Sequence, residues 1–271
     1  MPNLNNLTAQ DVLWGSMNWS GMRNLLINAL GQINQRGYVS GTATSSANQY
    51  TVDRWKVVVS GQNLSWTMNN GVANFTAPAG GVAQVVEGAN IQGGTYVLSW
   101  IGAATCAVNG TPVTSGSSFA LPANTNATIQ FSGGTFSMPQ LELGNFATRF
   151  DWRMLSTEVL MCMRYFERAS EQSRFDSTLG FWFNETIFFV YYKYAAQKQA
   201  VPAVTSSPVG NFRVLASGTA VNVNAIWGVD QGTSGCLINV GTDSFNAGAV
   251  GIMQGNDNTG TSAYIDFDAE L

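Results

Sequence analysis

Thr95-Tyr-Val-Leu-Ser-Trp-Ile101 sits in the middle of a run, Val57 to Thr148, that contains no Lys or Arg and only two carboxylates, Glu87 and Glu142. Short stretches of comparable character flank it: Trp55 to Ser60, Leu64 to Met68, Val82 to Glu87, Ala127 to Ser132 and Thr135 to Leu143. Between them lie Asn69-Asn70-Gly71, Gly80-Gly81, Gly93-Gly94, Asn109-Gly110 and Gly133-Gly134, which supply the positive-φ positions of tight connections. Short strands at this spacing predict an antiparallel β-sandwich. Trp55, Trp66 and Trp100 are its expected large core residues rather than ligand platforms.

The rest of the chain repeats this character. Of 271 residues only 10% are charged and 45% are apolar, with 29 Gly and no His. Without imidazole there is no Ser-His-Asp or Cys-His arrangement and no His-containing zinc site. A net charge of −4 argues against nucleic acid, which needs clustered cations to neutralise phosphate. Arg149, Arg153, Arg164, Arg168 and Arg174 do cluster, but Asp151, Glu158, Glu167, Glu171 and Asp176 are interleaved with them. That pattern reads as a solvated, salt-bridged segment. Cys106, Cys162 and Cys236 are far apart and odd in number, so they read as buried small apolar residues in a chain made under reducing conditions. The N-terminus lacks the basic and apolar regions of a signal peptide, and no apolar run is long enough for a membrane span.

Residues 1–22 mix polar groups with Trp14, Met17, Trp19 and Met22 and read equally as a short helix or as an attachment segment. From Arg23 to Gln35, Leu25, Leu26, Ala29, Leu30 and Ile33 fit a helical stripe, while Leu25-Leu-Ile-Asn28 also fits a buried strand; periodicity leaves both open. One helix is clear: Ser156 is the expected N-cap, Glu158 lies in the first turn, Leu155 is placed to staple onto Leu160, and Val159, Cys162, Met163 and Phe166 share a face. On its other side Arg164, Glu167, Arg168 and Glu171 have i,i+3 spacing. Beyond it Thr186 to Tyr194 predicts a strand apolar on both sides, with Ile187, Phe189 and Tyr191 on one and Phe188, Val190, Tyr192 and Tyr194 on the other. The expected fold is therefore all-β. A sandwich over 23–150 and a second C-terminal β domain over 175–271 are joined by a helical connector over 151–174.

Several segments together resemble a sandwich module of bacteriophage tail-fibre and virion proteins. They are Asn24-Leu-Leu-Ile-Asn28, Asn34-Gln-Arg-Gly37, Tyr50-Thr-Val-Asp-Arg-Trp55, Thr95 to Trp100, Asn126 to Phe131, and Pro139-Gln-Leu-Glu-Leu-Gly144 with Ala147-Thr148. Glu158 to Phe166 is similar to the short helix after that module, and Asp268-Ala-Glu-Leu271 to a common ending. The chain departs from the pattern at Ala29-Leu-Gly-Gln-Ile33, where a Gly-Gly-aromatic turn is usual, and at Arg149, where Pro is frequent. The resemblance implies a jelly roll of the carbohydrate-binding type in a virion fibre, assembled in the host cytoplasm as a homo-oligomer, commonly a trimer, with other virion proteins and a host surface glycan as expected partners. It implies no cofactor and carries no ligand residue over.

For sugar binding an aromatic face should cover the ring while amides and carboxylates bind the hydroxyls. The candidates are Trp227 with Asp230 and Gln231, and Asn256 with Asp257. The alternating run Val221 to Ile226 places Trp227 at a strand end. Asp243 and Asp257 lack EF-hand spacing, so no metal is expected. A monomeric carbohydrate-binding module or lectin is the alternative function. A glycan-cleaving tailspike ranks below it, because no two carboxylates of the sandwich lie close in sequence.

Overall fold

The computed structural model describes residues 22–170, 178–256 and 262–271; the attachment segment up to residue 21, the expected domain start at Phe175 and the candidate Asp257 lie outside them. The chain divides into two units, Met1–Glu158 and Val159–Leu271. Both are built from antiparallel strands, and the described helices include none long and apolar enough to cross a membrane.

The first unit is the jelly-roll sandwich. One sheet has the order β1 (Gln49–Tyr50), β2 (Lys56–Val57), β5 (Val82–Val86), β10 (Ala127–Ser132), β7 (Thr105–Val108), β8 (Thr111–Val113). The other runs β3 (Ser65–Asn69), β4 (Val72–Ala77), β11 (Gly134–Leu143), β6 (Gly94–Ile101), β9 (Ser118–Leu121). The expected strand Trp55 to Ser60 shrinks to two residues: Arg54 (φ 72°) turns the chain just before it, and the chain bends from Val58 into a turn at Ser60–Gly61 (Gly61 φ 79°). Trp55 is fully buried, 5.5–6.2 Å from the rings of Phe75, Phe131 and Phe136; Phe131 and Phe136 stack at 4.2 Å. Trp66 and Trp100 are only partly buried against this core.

Residues 24–35 form neither of the two expected elements. The backbone bends at Asn28 (φ 54°) and Gly31 (φ 64°), and side-chain amides replace a ladder. Gln84 of β5 accepts from Ile27 N–H (2.7 Å) and donates to Ile27 C=O (2.8 Å). Leu25 N–H donates to Leu141 C=O of the opposite sheet, so the segment ties the two sheets together.

The helix α1 spans Leu155–Met163, and the division between the units falls inside it. Ser156 therefore lies in the first turn and is not the N-cap, and Leu155 and Leu160 are 55% and 50% exposed rather than stapled. Phe166–Ser170 is not helical but a strand, β12, so Arg164, Glu167 and Arg168 do not share the helical face their i,i+3 spacing predicted. The apolar face ends with the helix, and Phe166 is instead buried at the start of β12.

The second unit pairs β12 with β20 (Tyr264–Asp268) and β20 with β15 (Ala203–Ser206). Its other strands close a six-stranded barrel: β13 (Thr178–Asn184), β14 (Ile187–Lys193), β18 (Gly235–Thr242), β17 (Thr219–Val229), β16 (Phe212–Ala216) and β19 (Val250–Gly255), returning to β13. The barrel is filled by side chains, among them Trp182, Phe188, Val214, Ile238, Val240 and Met253. Glycine makes this fit possible. A Cβ at Gly251 would lie 2.9 Å from the Trp182 ring, and small residues opposite large ones are what a narrow barrel requires.

Candidate interaction surface

Most buried polar side chains of the sandwich are committed to holding its chain in place. The segments that carry the family resemblance supply many of them. Asn24 Oδ1 accepts from Leu26 and Leu141 N–H, Asn28 Nδ2 donates to Ile33 and Asp53 C=O, and Trp55 Nε1 donates to Asn28 C=O. Asp53 accepts from Gln35 N–H and Nε2 at 2.8 and 2.6 Å. Burial pushes its carboxyl above the usual range, against the opposing pull of Arg36, the Gln35 bonds and Arg54. Glu142, one of the two carboxylates in the uncharged run, accepts from Gln140 Nε2, Thr148 N–H and Thr148 Oγ1.

The Arg-rich stretch differs from its expected solvated state. Arg153 pairs with Glu158 (2.6 Å) at side-chain exposures of 5% and 11%, and donates to the carbonyls of Asn24 and Leu26. Glu167 and Lys198 pair at 2.8 Å with both side chains fully buried, and Arg168 binds Asp266 through two bonds of 2.7 Å. Glu158 and Glu167 alternate with arginines in sequence, yet both are buried, Glu158 on α1 and Glu167 on β12. A cavity of about 10 Å³ lined by Leu30, Phe150, Arg153 and Glu158 has room for one water and no ligand. Cys106, Cys162 and Cys236 are buried and form no disulfide, and burial pushes the Cys106 thiol up to about 12.

Among the described residues, the expected sugar-binding side chains do not converge. Alternation alone would put Trp227 on the same side as Val221 and Val223, inside the barrel. The pairing of β17 with β18 slips by one residue between Val223 and Ala225, leaving Asn224 as the extra residue of a bulge. The slip turns Ile226 inward and Trp227 outward, opposite Asn239 and 38% exposed. Trp227 lies within the strand, which continues to Val229, rather than at its end. Its ring lies toward Gly241, where a Cβ would be 3.6 Å from Cζ3. Gln231 sits on the other side of the strand: a Cβ at Gly228 would lie 2.4 Å from its Nε2. Asp230 is exposed in the turn after β17, with φ 44°. Asn256 belongs to a separate turn, bonded to the carbonyls of Asn211 and Gly210. Asp243 accepts from Asn222 and Asn224, whose amides hold its exposed carboxyl below the usual range. Among the described residues, no three His, Cys, Asp or Glu side chains are placed to hold a metal.

What does converge is an apolar band on the outside of the barrel. As expected, β14 has two apolar sides: Phe188, Val190 and Tyr192 are inward, while Ile187, Phe189 and Tyr191 are outward. Hydrogen-bonded neighbours extend the outer side into rows. Val250, Phe181, Phe189, Asn239 and Trp227 follow one another across β19, β13, β14, β18 and β17. Leu179 and Phe183 flank Phe181 on β13. Leu179 is 66%, Phe183 62%, Tyr191 62% and Val250 58% exposed. Phe183 stacks on Phe189 at 4.8 Å, and Phe181 meets Phe189 edge-on at 5.7 Å. Asn239 Oδ1, in the middle of the row, is shielded from solvent and has no hydrogen-bond partner. Leaving such an atom unpaired costs about 1–3 kcal/mol.

Ile187, Phe189 and Tyr191 of this band were legible in the two-sided strand, whereas Leu179, Asn239 and Val250 carried no signal of their own. The chain matches no protein-family model, and neither a curated protein nor a solved structure is significantly similar to it.

Proposed function

We propose that this chain is a structural protein of a bacteriophage virion, a subunit of a tail fibre or related fibre that takes part in attachment to the host surface. The observation that carries the reading is the outward aromatic band. A side-chain-filled barrel that exposes so much uncharged apolar surface fits a subunit made to be covered in an assembly. The sandwich resemblance supports the same setting, with other virion proteins and further copies of the chain as partners and assembly in the host cytoplasm. Gold-labelled antibody against the purified chain should decorate phage particles at a defined position, and the chain should appear in their protein composition. Particles without it would overturn the reading.

Trp227 beside Asn239 favours a second reading, a carbohydrate-binding module or lectin, because an exposed ring next to an amide is what sugar recognition uses. In that case Trp227→Ala lowers binding to host surface polysaccharide at least about tenfold, of the order expected for a lost ring contact, while the oligomeric mass stays unchanged. The fibre reading expects the mass to change first.

A further inference from the structure

We propose that residues 1–21 dock through Trp14, Met17 and Trp19 on an exposed apolar patch of their own sandwich, formed by Phe146, Trp152, Met154 and Leu155.

The patch is dense and firmly held. Within residues 146–155, Phe146 is 66%, Trp152 55%, Met154 72% and Leu155 55% exposed. Apart from Met22, the other exposed large apolar side chains described in this unit, Val39, Val59, Met68 and Ile101, stand singly along the chain. Hydrogen bonds fix the strap that carries the patch. Asp151 N–H donates to Gln140 Oε1 (2.7 Å), and Arg153 is bonded to Glu158 and to the carbonyls of Asn24 and Leu26. Trp152 meets Phe150 edge-on at 5.6 Å, and Phe150 packs on the sandwich core. The platform is therefore in place before anything covers it, which lowers the entropy lost on docking.

The chain enters the fold at the same strap. Asp151 Oδ2 accepts from the N–H groups of Arg23 (2.8 Å) and Asn24 (3.2 Å), and Arg23 Nη2 donates to Arg149 C=O (2.9 Å). Residues 1–21 are thus tethered beside Trp152, through Met22, which is itself 51% exposed. They hold eight large apolar side chains and a single charged one, Asp11. Trp19 lies four residues before Arg23 and Trp14 nine, so extended chain reaches at most roughly 14 Å and 32 Å from that anchor. Gly21, without a Cβ, lets the chain turn back toward the patch.

Size and charge select this occupant. The four side chains of the patch offer roughly 400–500 Å², taking about 150–250 Å² for a fully exposed large side chain. A separate protein needs about 800 Å² on each partner for a stable interface. A tethered segment needs less, because a short linker holds it at an effective concentration in the mM range, where a Kd of about 1 mM is enough. Asp11 and Arg149, exposed beside the patch, have opposite charges, so the pairing carries no repulsion. Any partner that binds the segment must first displace it from the sandwich.

Photo-cross-linking of the full chain, with p-benzoylphenylalanine in place of Trp19 and the products mapped by peptide mass spectrometry, tests this. Cross-links should fall in residues 146–155 of the same chain, with a yield independent of protein concentration in the micromolar range. Phe146→Ser combined with Trp152→Ser should lower that yield at least about tenfold, the order expected for lost ring contacts. Near-ultraviolet circular dichroism reports whether the sandwich is intact, and Met154→Ser replaces Trp152→Ser if that variant fails to fold. Cross-links only outside residues 146–155, or a yield unchanged by the patch variants, overturn the inference. So do cross-links that join labelled to unlabelled chains in a mixture of nitrogen isotopes, which would show that a second copy covers the patch.

Discussion

Replacing Lys198 by methionine should destabilise the C-terminal unit by about 3–5 kcal/mol, the usual cost of breaking a buried ion pair from one side. Lys198 and Glu167 are both fully buried, 2.8 Å apart. Besides Lys198, Glu167 accepts from Tyr192 Oη (3.0 Å) and from Ala195 N–H (3.1 Å), and Lys198 also donates to Met163 C=O. Met163 is the last residue of α1, where the helix dipole favours a cation. The pair thus ties the helix end, β12 and the chain after β14 into one node. Methionine keeps the volume but leaves the Glu167 carboxylate charged in a site closed to water. Adding Glu167→Gln should recover a large part of the loss, since a neutral amide still accepts from Tyr192 and Ala195 without needing a counter-charge. Denaturant unfolding followed by the fluorescence of Trp182 and Trp227 reads both variants. A loss below about 1 kcal/mol, within the range of exposed pairs, would mean that water reaches the node.

Trp55→Ala should cost the sandwich a similar amount, about 3–5 kcal/mol. The ring is fully buried among Phe75, Phe131 and Phe136, and its Nε1 donates to the Asn28 carbonyl at 3.0 Å. Alanine removes the packing and one of the two hydrogen bonds on that carbonyl, leaving the one from Gly31 N–H, in a site where the chain already departs from regular pairing. Trp100→Ala is the control. Trp100 is partly buried and meets Phe131 edge-on at 5.4 Å, so its loss should be clearly smaller. Equal losses in the two variants would show that the sandwich core is centred elsewhere.

The all-β class, the sandwich and several of its longer strands were legible because they rest on local information. Alternating side chains and Gly or Asn at positive φ act within a few residues of each other, and β6, β10 and β11 lie close to where Thr95 to Ile101, Ala127 to Ser132 and Thr135 to Leu143 were expected. The two apolar sides of Thr186 to Tyr194 were equally plain, as was the burial of the three cysteines outside any disulfide. Tertiary structure alone decided which side of a strand is covered. Glu167 alternates with arginines like a surface residue, but its partners Tyr192 and Lys198 lie 25 and 31 residues away and reach it only through the fold. Trp227 faces outward because β17 slips by one residue against β18 at Asn224, a bulge set by the pairing of two strands and invisible in either one. The closure of six strands likewise places β13 opposite β17. Alternation along a chain is fixed by backbone geometry over two residues, whereas burial depends on what the rest of the molecule brings to each face.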